Sequence, residues 1–446
     1  MKNLMTFIAI FIYSSIYSQS TYLYCGQLFD SKKAKFVGPH TIIVDGEKIT
    51  SVSKGYINPK SENDILIDLK SKTVYPGFID MHVHIELQVP QSIIQLSQSK
   101  PADIAFTSSV YAKKTLMAGF TTVRDLGGVG VNISLRDAIN QGKVIGPRIF
   151  TAGNIISSTG GHGDFTNGTK KESYGILGPK DGIVDSPDDA RKAVRQRYKN
   201  GADWIKITAT GGVLDISKSD ANPQFTNEEI KEITKTASDY GLKVAAHAHG
   251  DEGMYRAVSN GVKTIEHGTL IKERTMALMI SKGAYLVPTI SAGKFVAKMA
   301  EKPNFFHPEI AKKAMNIGPQ IQNTFKRAYK YGVPISFGTD SGVSPHGDNA
   351  KEFIYMNEAG MPINEVLQTA TLINAKILDM ENSLGQIETG YIADIVATDK
   401  NALDDINTLM NVSFVMKNGK IYKNNFKWKL FKCKQMVLIR NWKQLK

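Results

Sequence analysis

The sequence predicts an α/β fold, a (β/α)8 TIM barrel carrying a small β domain assembled from both chain ends. Three observations lead there. The middle of the chain alternates short apolar runs with amphipathic helical stretches, β-like texture recurs at both ends, and side chains able to bind metal fall at the ends of the apolar runs. The 446 residues suffice for a barrel of about 250 and a second domain. At 42% hydrophobic and 22% charged, the composition is that of an ordinary globular chain.

Taken in order, residues 1–18 are expected to be a secretory signal peptide. Lys2 precedes an apolar run over 4–16, then small and polar residues, with cleavage near Ser18 or Ser20. The run is shorter than the roughly 20 residues a bilayer span needs, so an exported protein, periplasmic or secreted, is expected. Tyr24 before Cys25 argues against lipid attachment. Cys25 and Cys433 are the only two cysteines, with no CxxC, which excludes thiolate zinc sites and leaves a disulfide between the chain ends open.

The formal charge of +13 is concentrated at the far end. Residues 426–446 hold seven Lys or Arg and no acidic residue, and without them and Lys2 the body carries only +5. No basic and aromatic stripe of a nucleic-acid reader is present, so no nucleic-acid partner is expected. The tail is expected to be a solvated appendage, with weak contact to an anionic membrane surface as the other option.

Residues 19–73 and 385–425 read as β segments separated by Gly, Lys and Asn turns, including a hairpin at Asn418-Gly419. Between them, over 74–384, eight strands are predicted: TVYPGFIDMHVH, TTVRDLGG, RIFTAGNII, DWIKITATGG, LKVAAHAHG, KTIEHGT, AYLVPTIS and PISFGTDSG. The first is expected to run over 74–81, broken by Pro76-Gly77. Ser186-Pro187-Asp188-Asp189 starts a helix that Gly201 stops, and Thr226-Asn227-Glu228-Glu229 is a capping box for one closed by Gly241. An open doubly wound sheet is the alternative architecture.

Barrel enzymes keep their chemistry at the C-terminal ends of the strands. His82 and His84, two apart, project from one face of the first strand. Lys206 lies in the fourth strand, His247 and His267 end the fifth and sixth, and Asp340 ends the eighth. Each has an ordinary explanation as a core or capping residue; convergence of all six on one mouth does not. Lys206, between Ile205 and Ile207, is costly as a buried cation and is expected to be neutral, paired or chemically modified. A neutral amine can take up carbon dioxide as a carbamate, an anionic ligand able to bridge two ions about 3.5 to 4 Å apart.

At these residues the chain resembles the amidohydrolase superfamily. PGFIDMHVHIE looks like its first-strand signature, and LGQIETGYIADIVATD is similar to the C-terminal return of its β-sandwich domain. TATGG beside Lys206, HAHG and GGHGD resemble the branch of zinc dipeptidases and carboxypeptidases related to prolidase and imidazolonepropionase. Imidazolonepropionases use one metal and lack the bridging lysine, so Lys206 counts against that assignment.

The resemblance implies two divalent metal ions, zinc: His82, His84 and Asp340 would hold a buried one, and His247 and His267 a more exposed one. Carboxylated Lys206 would bridge them. Metal binding lowers the pKa of water to about 7, and Asp340 would take the proton as the bridging hydroxide attacks. His162, in the glycine-rich loop over 159–164, and His249, where relatives often carry Tyr, would bind the substrate carboxylate; a purely structural role is the alternative for each.

The activity implied is that of an exported binuclear zinc amidohydrolase cleaving dipeptides or C-terminal residues, Xaa-Pro or similar. A cyclic amide, lactone or ester hydrolase on the same metals is the alternative, and a non-catalytic binding or membrane-surface protein a weaker one. The substrate is expected to be a small peptide or amide, chosen by loops over 88–101, 163–181 and 305–316, and a homo-oligomer is left open. Arg124 and Asp125 are expected to form an ion pair near the mouth. His40, His307 and His346 are expected on the surface or in loops.

Overall fold

The computed structural model describes residues 19–425 except 92 and 218. The expected signal segment, the lysine-rich tail and Cys433 lie outside the described residues. Among those described, no helix is long and apolar enough to cross a membrane.

Both chain ends enter one eight-stranded sheet. Strand Ile65–Pro76 lies between Thr21–Asp30 and Ile395–Thr398, so residues more than 300 apart in sequence pair directly, Pro76 with Ile395 and Thr73 with Thr398. Alternation along the strands turns Leu23, Cys25, Ile67 and Leu69 to one side, where they meet Ile395, Phe414 and Met416 in an apolar cluster. Cys25 is buried there as a free thiol, and burial pushes its pKa up. Asn418 and Gly419 both take positive φ, 50° and 70°, as a two-residue hairpin turn requires.

The middle of the chain holds two parallel sheets. Phe78–Val83, Phe120–Asp125 and Arg148–Thr151 form one; Trp204–Thr208, Lys243–Ala248, Thr264–His267 and Tyr285–Val287 form the other. Two links join them. On one side Ile156 bridges Ile207; on the other the segment 334–341 touches both sheets, Ile335 against Leu286 and Ser341 against Val83. That segment is the predicted eighth strand, and it is not a regular one. Pro334 has no N–H to give a ladder and Asp340 turns the chain at φ 55°, yet Ser336 N reaches Leu286 O at 2.9 Å and Met81 N reaches Phe337 O at 3.0 Å. The third strand is also cut short, at Gly153, where φ is 64°.

The strand expected over 74–81 belongs to two sheets. Residues through Pro76 pair in the terminal sheet and those from Phe78 in the parallel one, with Gly77 between them. A side chain at Gly77 would collide with Thr121, so the chain can pass only as glycine. The helix signals hold: Ser186 caps Pro187–Asn200, which ends at left-handed Gly201, and Thr226 and Glu229 form the reciprocal capping box of Asn227–Asp239.

Candidate active site

His82 and His84 project to the same side of the first strand, and Asp340 meets them from the segment closing against it. One donor atom from each lies within 4.8 Å of the other two. The partners of the imidazoles decide what faces the gap. His82 Nδ1 lies 2.8 Å from Glu266 Oε2, and His84 Nδ1 lies 2.7 Å from the Gly127 carbonyl oxygen, so both Nδ1 atoms donate and both Nε2 atoms carry lone pairs. Those lone pairs face Asp340 Oδ1 at 3.6 and 3.3 Å. Asp340 Oδ1 is buried without a hydrogen-bond partner. Three acceptor atoms turned on one another, one of them a buried carboxylate oxygen without a partner, form a cradle whose nitrogen and carboxylate donors suit a divalent metal.

His247 and His267 stand beside this group, with ring centroids 4.7 Å apart and His267 5.2 Å from His82. His247 Nε2 donates to the Gly211 carbonyl at 3.1 Å, leaving Nδ1 free to coordinate. His267 Nδ1 lies 2.7 Å from Thr289 Oγ1; that hydroxyl gives its proton to the Pro288 carbonyl, so His267 donates and its Nε2 is bare. Burial holds His82, His247 and His267 well below the ordinary histidine pKa, in the neutral form that binds metal. His267, Thr289 and Asp340 all have positive φ, 71°, 50° and 55°, a conformation that costs about 1 to 3 kcal/mol for such residues and gathers where function holds it.

Lys206 lines the same cavity as all five, and its charge is felt by His82, His84, His247 and His267. Burial pushes its pKa down to about 8, against the opposing pull of Glu266 and Asp340. Among the described residues its Nζ has neither a hydrogen bond nor an ion-pair partner, the condition in which an amine is reactive. Burial likewise raises Asp340 to about 7, with Lys206 pulling the other way.

Other expectations need correction. Arg124 and Asp125 are not an ion pair, because successive residues of a strand point to opposite faces. Arg124 turns to Glu266, at 2.9 Å, and lies over the Trp204 ring; Asp125 turns the other way and accepts from Ile85 N, Gly127 N and the Asn132 side chain. Glu266 was not anticipated. It takes His82 and Arg124 together, and the only signal in the sequence was its place beside His267. His346 lies in a turn, as expected, but is buried there: it is 7% exposed, stacked on Tyr111 and bonded to the Leu87 carbonyl at 2.8 Å. His40 stays outside, and His307 accepts from Glu309 N at the start of Pro308–Ile317.

His162 and His249 both line the cavity. His162 stacks on His247 with centroids 4.2 Å apart, and its Nδ1 is bonded to Asp215. His249 packs parallel to His267, with Nδ1 2.8 Å from Thr269 Oγ1, and burial lowers its pKa to about 3. Apolar side chains, among them Val213, Val296, Ile317 and Ile321, form much of the remaining wall, with Gln91, Asn154, Asp181 and Thr208 as polar exceptions.

Residues 73–422 match the amidohydrolase family, and the chain belongs to it. It is a hydrolase of C–N bonds. Ochratoxinase of Aspergillus niger is 32% identical over 366 residues, 78% of this chain and 75% of that protein. A solved Xaa-Pro dipeptidase with methionine bound in its active site is 48% identical, with a TM-score of 0.88 over 91% of this chain and all (100%) of that one. A prolidase in complex with N-methylphosphonate-L-proline is 34% identical, TM-score 0.83, covering 91% and 100%.

Proposed function

We propose that the protein is an exported binuclear zinc amidohydrolase that cleaves the peptide bond of dipeptides or releases C-terminal residues. The observation that carries this is the set of five bare donor atoms that share one cavity with Lys206, with His162 and His249 stacked directly beside them. In this reading the two parallel sheets and their links form one closed (β/α)8 barrel over 74–384, and the terminal sheet is a β-sandwich domain of 19–73 and 385–425. Export rests on the apolar run over 4–16 alone.

His82, His84 and Asp340 would hold one ion, His247 and His267 the other, with Lys206 as a carbamate between them. Bound there, two divalent ions supply Lewis acidity and an acidified water at neutral pH. The protein's own part is to orient and to move a proton. Glu266, Gly127, Gly211 and Thr289 fix the tautomers of the four histidines. Asp340 takes the proton of the attacking water and passes it to the leaving amine. His162 and His249 bind the carboxylate of the residue that leaves, a reading supported by the methionine and the N-methylphosphonate-L-proline named for the similar structures.

The test compares a dipeptide with its C-terminal amide. A hydrogen bond to a charged group contributes about 1.5 to 3 kcal/mol, so His162→Ala should lower kcat/KM for the acid about 10- to 150-fold and affect the amide far less. Equal losses on both substrates would reject carboxylate reading. They would favour the second activity, hydrolysis of a cyclic or other apolar amide or ester, for which the apolar cavity wall speaks.

A further inference from the structure

His162 owes its place to residues far along the chain. Its Nδ1 is bonded to Asp215, 53 positions away, and Asp215 is in turn paired with Lys313 at 2.9 Å, a further 98 positions on. Neither partner belongs to the metal cradle. Lys313 is 7% exposed, although it sits on helix Pro308–Ile317, and it places all three donors: on Asp215, on the Gly212 carbonyl at 2.7 Å and on the Ser217 carbonyl at 3.1 Å. Asp215 Oδ1 also accepts from Ser217 N at 2.7 Å and from the Ser217 hydroxyl, which leaves Oδ2 for His162. One buried lysine and carboxylate thus hold both the loop over 211–217 and the ring of His162.

The ring is also held by shape. Its face lies against His247, and a Cβ on Gly212 would occupy the space of the imidazole itself. With Nδ1 fixed on Asp215, Nε2 has no partner among the described residues, on a side chain that lines the cavity.

We propose that Asp215 and Lys313 are positioning residues for substrate recognition: the Lys313–Asp215–His162 chain, backed by Gly212, holds the histidine with Nδ1–H donated to Asp215 and Nε2–H presented as donor to the carboxylate of the bound peptide. The chain also ties three parts of the cavity together, the loop over 159–164, the loop over 211–217 and helix Pro308–Ile317. Selectivity for a free carboxylate then depends on a salt bridge that never touches substrate. The inference rests on the carboxylate reading of His162, and its test keeps the two apart.

Asp215→Asn, His162→Ala and the double variant are compared on a dipeptide and its C-terminal amide, with metal content measured for each. Asp215→Asn should raise KM for the acid about tenfold, with kcat and bound metal held, and should narrow the preference for acid over amide. The double variant should lose no more than His162→Ala alone, because Asp215 acts through that ring. Lys313→Met should move KM in the same direction by less. If Asp215→Asn does not fold, Gly212→Ala gives the same readout, since it displaces the ring and leaves every charge in place. Additive losses, or an Asp215→Asn enzyme with wild-type preference where His162→Ala has lost it, overturn the proposal and leave the carboxylate reading standing. A His162→Ala enzyme that keeps its preference overturns that reading instead.

Discussion

The metal cradle and the substrate rim share one cavity and are built on different principles. In the cradle, donors sit at or just beyond strand ends, and each imidazole is fixed by one near bond to a carbonyl, hydroxyl or carboxylate. At the rim, His162 sits on a loop and takes its orientation from Asp215 and Lys313, drawn from a second loop and a helix. Strand geometry aims a side chain through the backbone alone, whereas a loop side chain has to be aimed by other side chains. The cradle should therefore fail by losing metal, and the rim by losing discrimination with its metal intact.

The largest effect expected is in the cradle. Lys206→Ala should lose at least one metal ion and lower turnover by roughly a thousandfold, the several kcal/mol a metal supplies at about 1.4 per tenfold. Elemental analysis should give about two divalent ions per wild-type chain and fewer in the variant, and short carboxylic acids should restore part of the rate. Wild-type metal content and turnover in Lys206→Ala would break the comparison at its root.

A smaller effect is expected one bond further out. Glu266 accepts from His82 and Arg124 through different oxygens, and a glutamine has one oxygen to offer for the two. Glu266→Gln should weaken metal binding about 10- to 100-fold, measured by competition with a chelator. The acid-to-amide preference of the variant, once loaded with metal, should match wild type. A change in that preference at unchanged metal affinity would mean that cradle and rim are not separable.

This division also explains what was legible in the sequence. Period-two alternation and strand-end placement singled out His82, His84, His247, His267 and Asp340, a cation between two isoleucines inside a strand singled out Lys206, and helix caps at Ser186 and Thr226 could be read from local residues. What lay beyond local rules was missed. Arg124 and Asp125 were paired because they are adjacent, although adjacency in a strand separates side chains. Glu266, Asp215 and Lys313 act through partners 53 to 184 positions distant, and no local pattern announces such contacts. The eighth strand was read as regular because PISF is apolar, but Pro334 and the turn at Asp340 leave only single bridges.

The effect expected furthest from the chemistry concerns His346, which props the cradle from outside. Its ring lies on Tyr111 with centroids 4.5 Å apart, Nε2 donates to the Leu87 carbonyl, and Nδ1 faces the Ser341 hydroxyl at 3.2 Å, next to Asp340. The neutral ring is fully bonded, and a second proton would face the hydroxyl in a buried site. Burial accordingly lowers its pKa to about 4, with His84 and Lys114 adding to the shift and the Leu87 bond opposing it. An unfolded histidine titrates near 6.5, so between about pH 6.5 and 4 the unfolded chain binds the proton that the folded one refuses. Stability from this group is thus present above pH 6.5 and lost as pH falls through that window, by at most about 3 kcal/mol at 1.36 per unit. His346→Gln keeps a donor for Leu87 and cannot be protonated. Urea unfolding of both proteins, each stripped of metal so that ion release does not enter, should show a shallower loss for the variant from pH 6.5 to 4. The remaining buried histidines titrate alike in the two and cancel in the difference. Parallel curves would mean that His346 takes its proton as readily folded as unfolded, and that the support behind the first and eighth strand ends is looser than its contacts indicate.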